Sequence, residues 1–327
     1  MLRASCLLLA VVGSWAAAQP PKVTLKVTDQ KLSEVLGDVS EATGVTVFAT
    51  DAALEAPVTV ALEDADPDTA VQAIAEAIEG SWLRTYVAEP KGTEPAEETT
   101  SVLLERLQVA WRDWMLSRTD EQLDAFRTKA LAAMGGTPSL PEMTADGGMA
   151  FDIVETLQPP FGSEQVTLQA QGAEIKEALA LFTLDCGYMT LLDSAVTGQV
   201  TVDATQTELP DVLDDLCEQI GAQWRPVYLI GKARPITPDE MEQRFSEMLE
   251  RGAAEFWKLP PEQRADIVQQ LTSRMQSIPP EVQSMIKSSP WTSRLMGRAM
   301  QFVFTLTPDQ RREVAPLLQG AVKLFSP

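Results

Sequence analysis

Histidine is absent from all 327 residues, and that one fact removes much of the usual machinery of catalysis. Without imidazole there is no Ser-His-Asp or Cys-His nucleophile system and no histidine-ligated metal. Neither a GxxxxGK[ST] phosphate loop nor a GxGxxG turn occurs. Asp64-x-Asp66-x-Asp68 has the opening spacing of a calcium loop. Thr69 stands where that loop needs glycine, however, and Ala75 where it needs a bidentate glutamate. The same acids precede a helical pattern, where Asp66 can cap, Pro67 can open the first turn and Asp68 can face the positive end of the dipole. Helix-capping acids are therefore the better reading. The 47 carboxylates are plentiful, yet no spacing selects a pair for acid–base work. The expectation is no catalytic residue, no metal ligand and no cofactor. Cys186 and Cys217 are the cysteines left once a leader containing Cys6 is removed. They suit either a disulfide in an oxidising compartment or two small buried hydrophobes.

The elements that would position any site come in two copies. A shift of 143 places sets Val23-Thr24-Leu25 on Val166-Thr167-Leu168, and Leu32, Leu36 and Gly44 on Ile175, Leu179 and Gly187. After one deleted residue, Val58-Thr59-Val60 falls on Val200-Thr201-Val202, Ile74 on Leu216, and Trp82 and Tyr86 on Trp224 and Tyr228. A match sustained over such a length is an internal duplication. Each copy reads in βαββαβ order. Val23, Leu25 and Val27 alternate with Thr24, Lys26 and Thr28 as a half-buried strand, and Leu32, Val35, Leu36 and Val39 follow helical spacing up to Gly44. Val45 to Ala49 and Val58 to Leu62 read as strands, Val71, Ile74 and Ile78 as a helix stripe, and Trp82 to Val87 as a closing strand. Each copy has enough residues for its own core, and Trp82 and Trp224 are expected to be substantially buried.

Strand, amphipathic helix ending in Thr43-Gly44 or Cys186-Gly187, two strands, second helix and closing strand together resemble the secretin and TonB short N-terminal domain, the N0 domain of secretins. The resemblance covers the two repeats and rests on hydrophobic spacing and glycines. It implies a protein-interaction module contacting other envelope components. Secretins and TonB-dependent receptors continue into ring-building domains, plugs or barrels, whereas the chain after Ile230 reads as helical.

Met1 to Ala18 has a leader pattern: Arg3, the apolar run Leu7 to Val12 and Ala16-Ala17-Ala18, predicting a mature start at Gln19. No other stretch is apolar enough to span a membrane. Export follows, to the periplasm, with outer-membrane association left open. Residues 1–231 hold 13 Lys and Arg against 36 Asp and Glu, while 232–327 hold 13 against 11. The acidic front argues against nucleic acid, whose phosphates it would repel.

Glu89 to Thr100 reads as a linker. Thr100 to Met134 reads as a helix pair with Leu103, Leu104, Leu107, Trp111 and Trp114 in the first member and Thr119 capping the second. Ile236-Thr237-Pro238-Asp239, Leu259-Pro260-Pro261-Glu262, Ile278-Pro279-Pro280-Glu281 and Leu306-Thr307-Pro308-Asp309 repeat one helix-start chemistry, the last helix running from Pro308 to Phe325. Leu306-Thr307-x-x-Gln310 resembles the LTxxQ motif of the Spy/CpxP group of periplasmic proteins. Trp291, Leu295, Met296, Met300, Phe302, Val303 and Phe304 are expected to form helix core.

The expectation is an α+β protein: a leader at 1–18, βαββαβ domains at 22–89 and 164–231, a helical pair at 97–135, a linker at 136–163 and helices at 236–327. The expected role is non-enzymatic docking or scaffolding of an envelope protein partner in secretion, pilus or receptor machinery. The edge strand Val23, Thr24, Leu25, Lys26, Val27 and Thr28 is the candidate contact. The alternatives are a chaperone-like or stress-sensing helical protein and, behind it, a hydrolase. Oligomeric state is open.

Overall fold

The computed structural model of the protein describes residues 22–93, 98–134, 149–278 and 290–325, with 280, 283, 284 and 287 between the last two. The expected leader 1–18, the start at Gln19, the stretch from Gly135 to Gly148 and the helix start at Pro279 lie outside the described residues. The chain divides into two compact units, one of residues up to 140 with 152–234, the other of 141–151 with 235–327. The whole is α+β.

Repeat one folds as β1 (Val23–Lys31), α1 (Leu32–Thr43), β2 (Thr46–Ala49), a short α2 (Asp51–Leu54), β3 (Pro57–Ala65), α3 (Pro67–Ala77) and β4 (Ser81–Pro90). Leu32, Val35, Val39 and Thr43 line the buried side of α1, which ends where Gly44 takes a left-handed φ of 67° and its N–H donates to the Ser40 carbonyl. Asp66 caps α3 through the Thr69 N–H at 2.8 Å. The expected linker start at Glu89 is instead strand, because β4 continues to Pro90. Between the repeats come α4 (Thr100–Ser117), α5 (Asp120–Met134), β5 (Met149–Phe151) and α6 (Ile153–Leu157). Thr119 and Gln122 exchange backbone-to-side-chain bonds at the start of α5, a capping box at the expected position. Repeat two follows as β6 (Gln165–Glu174), α7 (Ile175–Cys186), β7 (Thr190–Leu192), β8 (Gln199–Glu208), α8 (Leu209–Gln219) and β9 (Ala222–Gly231).

The Val-Thr pairs that mark the duplication have a structural cause. In each repeat the antiparallel ladder, β1 with β3 or β6 with β8, is interrupted twice. At each interruption a residue takes positive φ: Asp29 and Asp64 in repeat one, Gly172 and Gln206 in repeat two. Each of those residues donates its N–H to a threonine hydroxyl on the facing strand. Asp29 reaches Thr59 Oγ1 at 3.0 Å and Asp64 reaches Thr24 at 3.3 Å. Gly172 reaches Thr201 at 3.0 Å and Gln206 reaches Thr167 at 3.2 Å. The bulges would otherwise leave those donors unpaired.

The two repeats are not separate domains, which corrects the expectation of two independently cored modules. One four-stranded sheet, ordered β2-β9-β4-β7, joins them. β2 of repeat one pairs in parallel with β9 of repeat two, and β7 of repeat two with β4 of repeat one, so each closing strand belongs to the other repeat's sheet. The register is symmetric: Val47 faces Tyr228 just as Thr190 faces Tyr86. At the centre β4 and β9 run antiparallel, with Thr85 opposite Val227, its counterpart in the duplication. The cores follow the pairing. Tyr228 and Ile230 are buried among Leu32, Val35, Val58 and Ile74 of repeat one. Tyr86 is buried among Phe182, Val200 and Leu216 of repeat two. The opposite face of the sheet carries Leu83, Val87, Val227 and Leu229, covered by Leu103 and Leu107 of α4 and Val154 of α6. Trp82 and Trp224 are only partly buried. The fully buried aromatics of the closing strands are Tyr86 and Tyr228, each 3% exposed, because they lie four residues further along each strand, beside the centre of the shared sheet at Thr85 and Val227.

The second unit contains α9 (Pro238–Lys258), α10 (Pro261–Gln276), α11 (Pro290–Thr305), α12 (Pro308–Glu313) and α13 (Ala315–Phe325), after β10 (Arg234–Ile236), which pairs with β5. Thr237 caps α9, and Thr307 forms a full capping box with Gln310 on α12. The single helix expected from Pro308 to Phe325 is interrupted at Val314. Of the expected α11 core, Phe304 is 70% exposed and Met300 is also exposed. The Trp291 side chain lies outside the description.

Candidate functional site

The duplication has diverged most pointedly around Arg84. Its counterpart is Pro226, and Asp68 is matched by Pro210, so a charged cluster exists on one side only. Alternation along β4 sends Arg84 to the same face as Tyr86, and its side chain is 9% exposed. The guanidinium donates to Asp68 at 2.5 Å and to Glu164, and lies 4.4 Å from the centre of the Tyr188 ring. Tyr228 donates its hydroxyl to Asp68, and Tyr188 donates to Glu164 at 2.9 Å. Burial acts to lower the arginine's pKa, but the surrounding tyrosines and two carboxylates outweigh it and hold the value above the ordinary one. Burial also pushes the Tyr188 hydroxyl up to about 12. The result is a closed cation–carboxylate–tyrosine network tying α3, β4, β9 and the start of repeat two together. The Arg84 Nε has no partner among the described residues. The network's physical effect is to lock the repeats.

A larger opening lies between α4, the first half of α7 and β7, with a volume of about 920 Å³. Its walls are mostly apolar, and Val102 and Val109 on α4 remain 47% and 39% exposed. At one end Arg118, buried between α4 and α7, makes a two-pronged pair with Glu177 at 2.9 and 2.7 Å. Hydrogen bonding from Arg118 holds the Glu177 carboxyl below its usual range. Beneath this end Trp114 donates its indole N–H to the Ala180 carbonyl at 3.0 Å, stacks with Trp111 and meets the tilted Phe126 ring, which fixes α4 and α5 on repeat two. The Thr190 hydroxyl is buried at the cleft wall with no partner among the described residues. A shallower hollow of about 430 Å³ beside Gly80 is rimmed by Glu76, Glu79, Asp152 and Glu155. Among the described residues no grouping of His, Cys, Asp or Glu could hold a metal ion.

Of the residues singled out in the sequence, β1 with Val23, Thr24, Leu25, Lys26, Val27 and Thr28 pairs with β3 alone, so its outer edge is unpaired among the described residues. Lys26 and Thr28 are exposed there. Cys186 and Cys217 are free, buried thiols in different clusters, the first with Phe182 and Leu216, the second with Ala88, Val196 and Ala222. Their separate packing corrects the disulfide alternative and leaves the two-hydrophobe reading. Asp66 is a helix cap and Asp68 an arginine ligand; Asp64 sits at a bulge. Sequence reading missed Arg84, Arg118 and the edge of β7. The signal for Arg84 was an arginine at a strand position where the other copy has proline. For β7, three residues long, no periodic signal exists. Among the described residues no helix is long and apolar enough to cross a membrane. The chain matches no family model, no curated protein and no solved structure.

Proposed function

We propose that this is a non-enzymatic, exported docking protein of the cell envelope, holding a partner through the unpaired strand edges of a strand-exchanged double module. The likeness of both repeats to secretin and TonB short N-terminal domains motivates the setting. The observation that carries the reading is the edge arrangement. The short ladders and the shared sheet leave outer strands, β1 among them, with backbone groups available to an extended segment. The four-stranded sheet meanwhile makes a rigid base for them.

The experiment is site-specific photo-crosslinking in cells of the source organism, with the reactive residue at Lys26 or Thr28. A docking protein gives one defined adduct, in the exported fraction, at positions along an edge and none at Gln72 on the outside of α3. A ladder of many adducts of equal strength at all positions would sink the reading. A chaperone-like role has its own supporting observation in the second unit, where Phe304, Met248 and Val322 are 70%, 59% and 51% exposed. It requires the full chain to suppress aggregation of an unfolded client, and Phe304→Ser with Met248→Ser to abolish that effect.

A further inference from the structure

β7 is an edge strand of a different kind from β1. It pairs with β4 on one side only. The Tyr86 N–H donates to the Met189 carbonyl and the Asp193 N–H to the Ala88 carbonyl, so residues 189, 191 and 193 face β4. Alternation of a parallel ladder then turns the N–H and C=O of Thr190 and Leu192 outward. Among the described residues no backbone or side-chain group meets them. No lysine, proline or bulge interrupts Thr190-Leu191-Leu192, whose protection is its three-residue length and α4 beside it, whereas β1 carries Lys26, Lys31 and a bulge of its own. This edge opens directly on the 920 Å³ cleft. The equivalent edge at β2 is followed by the short helix α2 where repeat two has none, and α4 lies against β7.

Charge selects the occupant. Of the cations at the cleft, Arg118 is engaged by Glu177 and Arg106 by Glu98 at 2.6 Å, leaving Lys176. Glu174 and Asp193 stand at the rim, bonded among the described residues only to the uncharged Gln199 amide and Ala195 N–H, within residues 1–231, which hold 36 acids against 13 bases. A second copy of the chain would bring the same acids to the same edge and be repelled. Resting on the docking reading above, we propose that the outer edge of β7 and the α4–α7 cleft bind an extended segment of a partner protein. That segment adds as a fifth strand, places apolar side chains at alternate positions against Val102, Val109 and Leu179, and carries net positive charge. The unpartnered Thr190 hydroxyl and the outward groups of Thr190 and Leu192 are its polar contacts.

A displayed library of random dodecapeptides, selected against the full chain, tests this. The expected product is a consensus alternating apolar residues with Lys or Arg. A synthetic peptide of that consensus should lose at least tenfold in affinity against Val109→Asp, an exposed position that leaves the core intact. A similar loss is expected when its amides on one edge are N-methylated, and Thr190 and Leu192 amides should gain exchange protection on binding. Thr190→Pro removes an outward donor and should weaken binding as much, with Val109→Asp standing alone where that variant misfolds. Peptides that bind Val109→Asp and the parent equally, but fail against Lys26→Glu, overturn this site and leave docking through β1. Selection yielding only acidic peptides, or none, overturns the proposal. So does a concentration-dependent dimer of the chain, seen by sedimentation, that Val109→Asp dissolves. If cells show a defined adduct at Lys26 while the library finds nothing at β7, the docking reading stands and this inference alone fails.

Discussion

Four threonines explain why two distant stretches kept the same Val-Thr pairs. Each hydroxyl answers a backbone donor that a bulge has turned out of the ladder, so the residue must be small, β-branched and able to accept. The left-handed bulge residue is the weak point, since an L side chain there is strained by about 1–2 kcal/mol. One of the four positions already has glycine, Gly172 with φ 60°. Gln206→Gly is therefore expected to stabilise the first unit by roughly 1 kcal/mol, and Thr167→Val to destabilise it by about 1 kcal/mol through the lost acceptor. Denaturant midpoints of the two variants, at an unchanged slope, check both signs. The thiols give a second test at this scale. Burial pushes Cys186 and Cys217 up to about 12, so the native thiolate population near neutrality is negligible. An alkylating reagent should leave both unmodified in the folded protein and modify both after denaturation, as peptide mass mapping would show. Rapid native labelling of either, or a Cys186–Cys217 disulfide peptide, would contradict the packing.

Elements were the part of the fold most open to sequence reading, and the reason is local chemistry. Asp66-Pro67, Thr119-x-x-Gln122, Thr237-Pro238 and Thr307-x-x-Gln310 are helix starts that need nothing beyond their own first turn. All four form as caps. Trp111 and Trp114 could be placed on the inner stripe of α4 but not on their partners, because Phe126, Phe161 and Ala180 are brought there by tertiary packing alone. Trp114 is 5% exposed, and Trp114→Ala should cost about 3–5 kcal/mol and free α4–α5 from repeat two. The Arg118–Glu177 pair at the same junction carries a pH dependence. The Glu177 carboxyl is held below its usual value in the folded protein, by hydrogen bonding from Arg118 ahead of burial's opposing push. A depressed carboxylate contributes fully above its unfolded value, near pH 4.5, and its contribution disappears as pH falls through the lower folded value. Glu177 is half exposed, so the amount is at most about 1 kcal/mol. Glu177→Gln should lower stability at pH 7 and flatten the decline below pH 4.5; an unchanged acid limb would show that the pair is screened out.

At the scale of the whole molecule, sequence reading had the strand plan of the two repeats but not β5 or β10, nor the partners of the closing strands. The duplication itself hides the answer. Tyr86 and Tyr228 occupy equivalent positions in equivalent strands, so either closing strand fits either β2-type neighbour and the period of two cannot choose. The exchange has a consequence that separate modules would not have. Core one is completed by Tyr228 and Ile230 from β9, and both are essentially inaccessible. A fragment of residues 22–93 keeps α1, α3 and the bulged ladder but loses the strand beside β2, leaving that edge and the apolar side of α1 uncovered. Burying those aromatics and aliphatics contributes several kcal/mol, most of what a domain of that size has to spare. The isolated fragment should therefore show no cooperative thermal transition as a monomer. Two escapes are open to it, and both report the exchange. Mixed with residues 98–234 it should form a one-to-one complex with a cooperative transition, because β9 is then supplied. Concentrated alone it should dimerise, each copy lending its β4 to the other's β2 about an axis at Thr85. Arg84 in such a dimer loses Glu164 and Tyr188, which only repeat two supplies, so the self-dimer should melt well below the mixed complex. A monomeric 22–93 fragment with a sharp transition and protected core amides would mean that β4 can close its own repeat, and the strand exchange would then be a choice of connection rather than a requirement of the core.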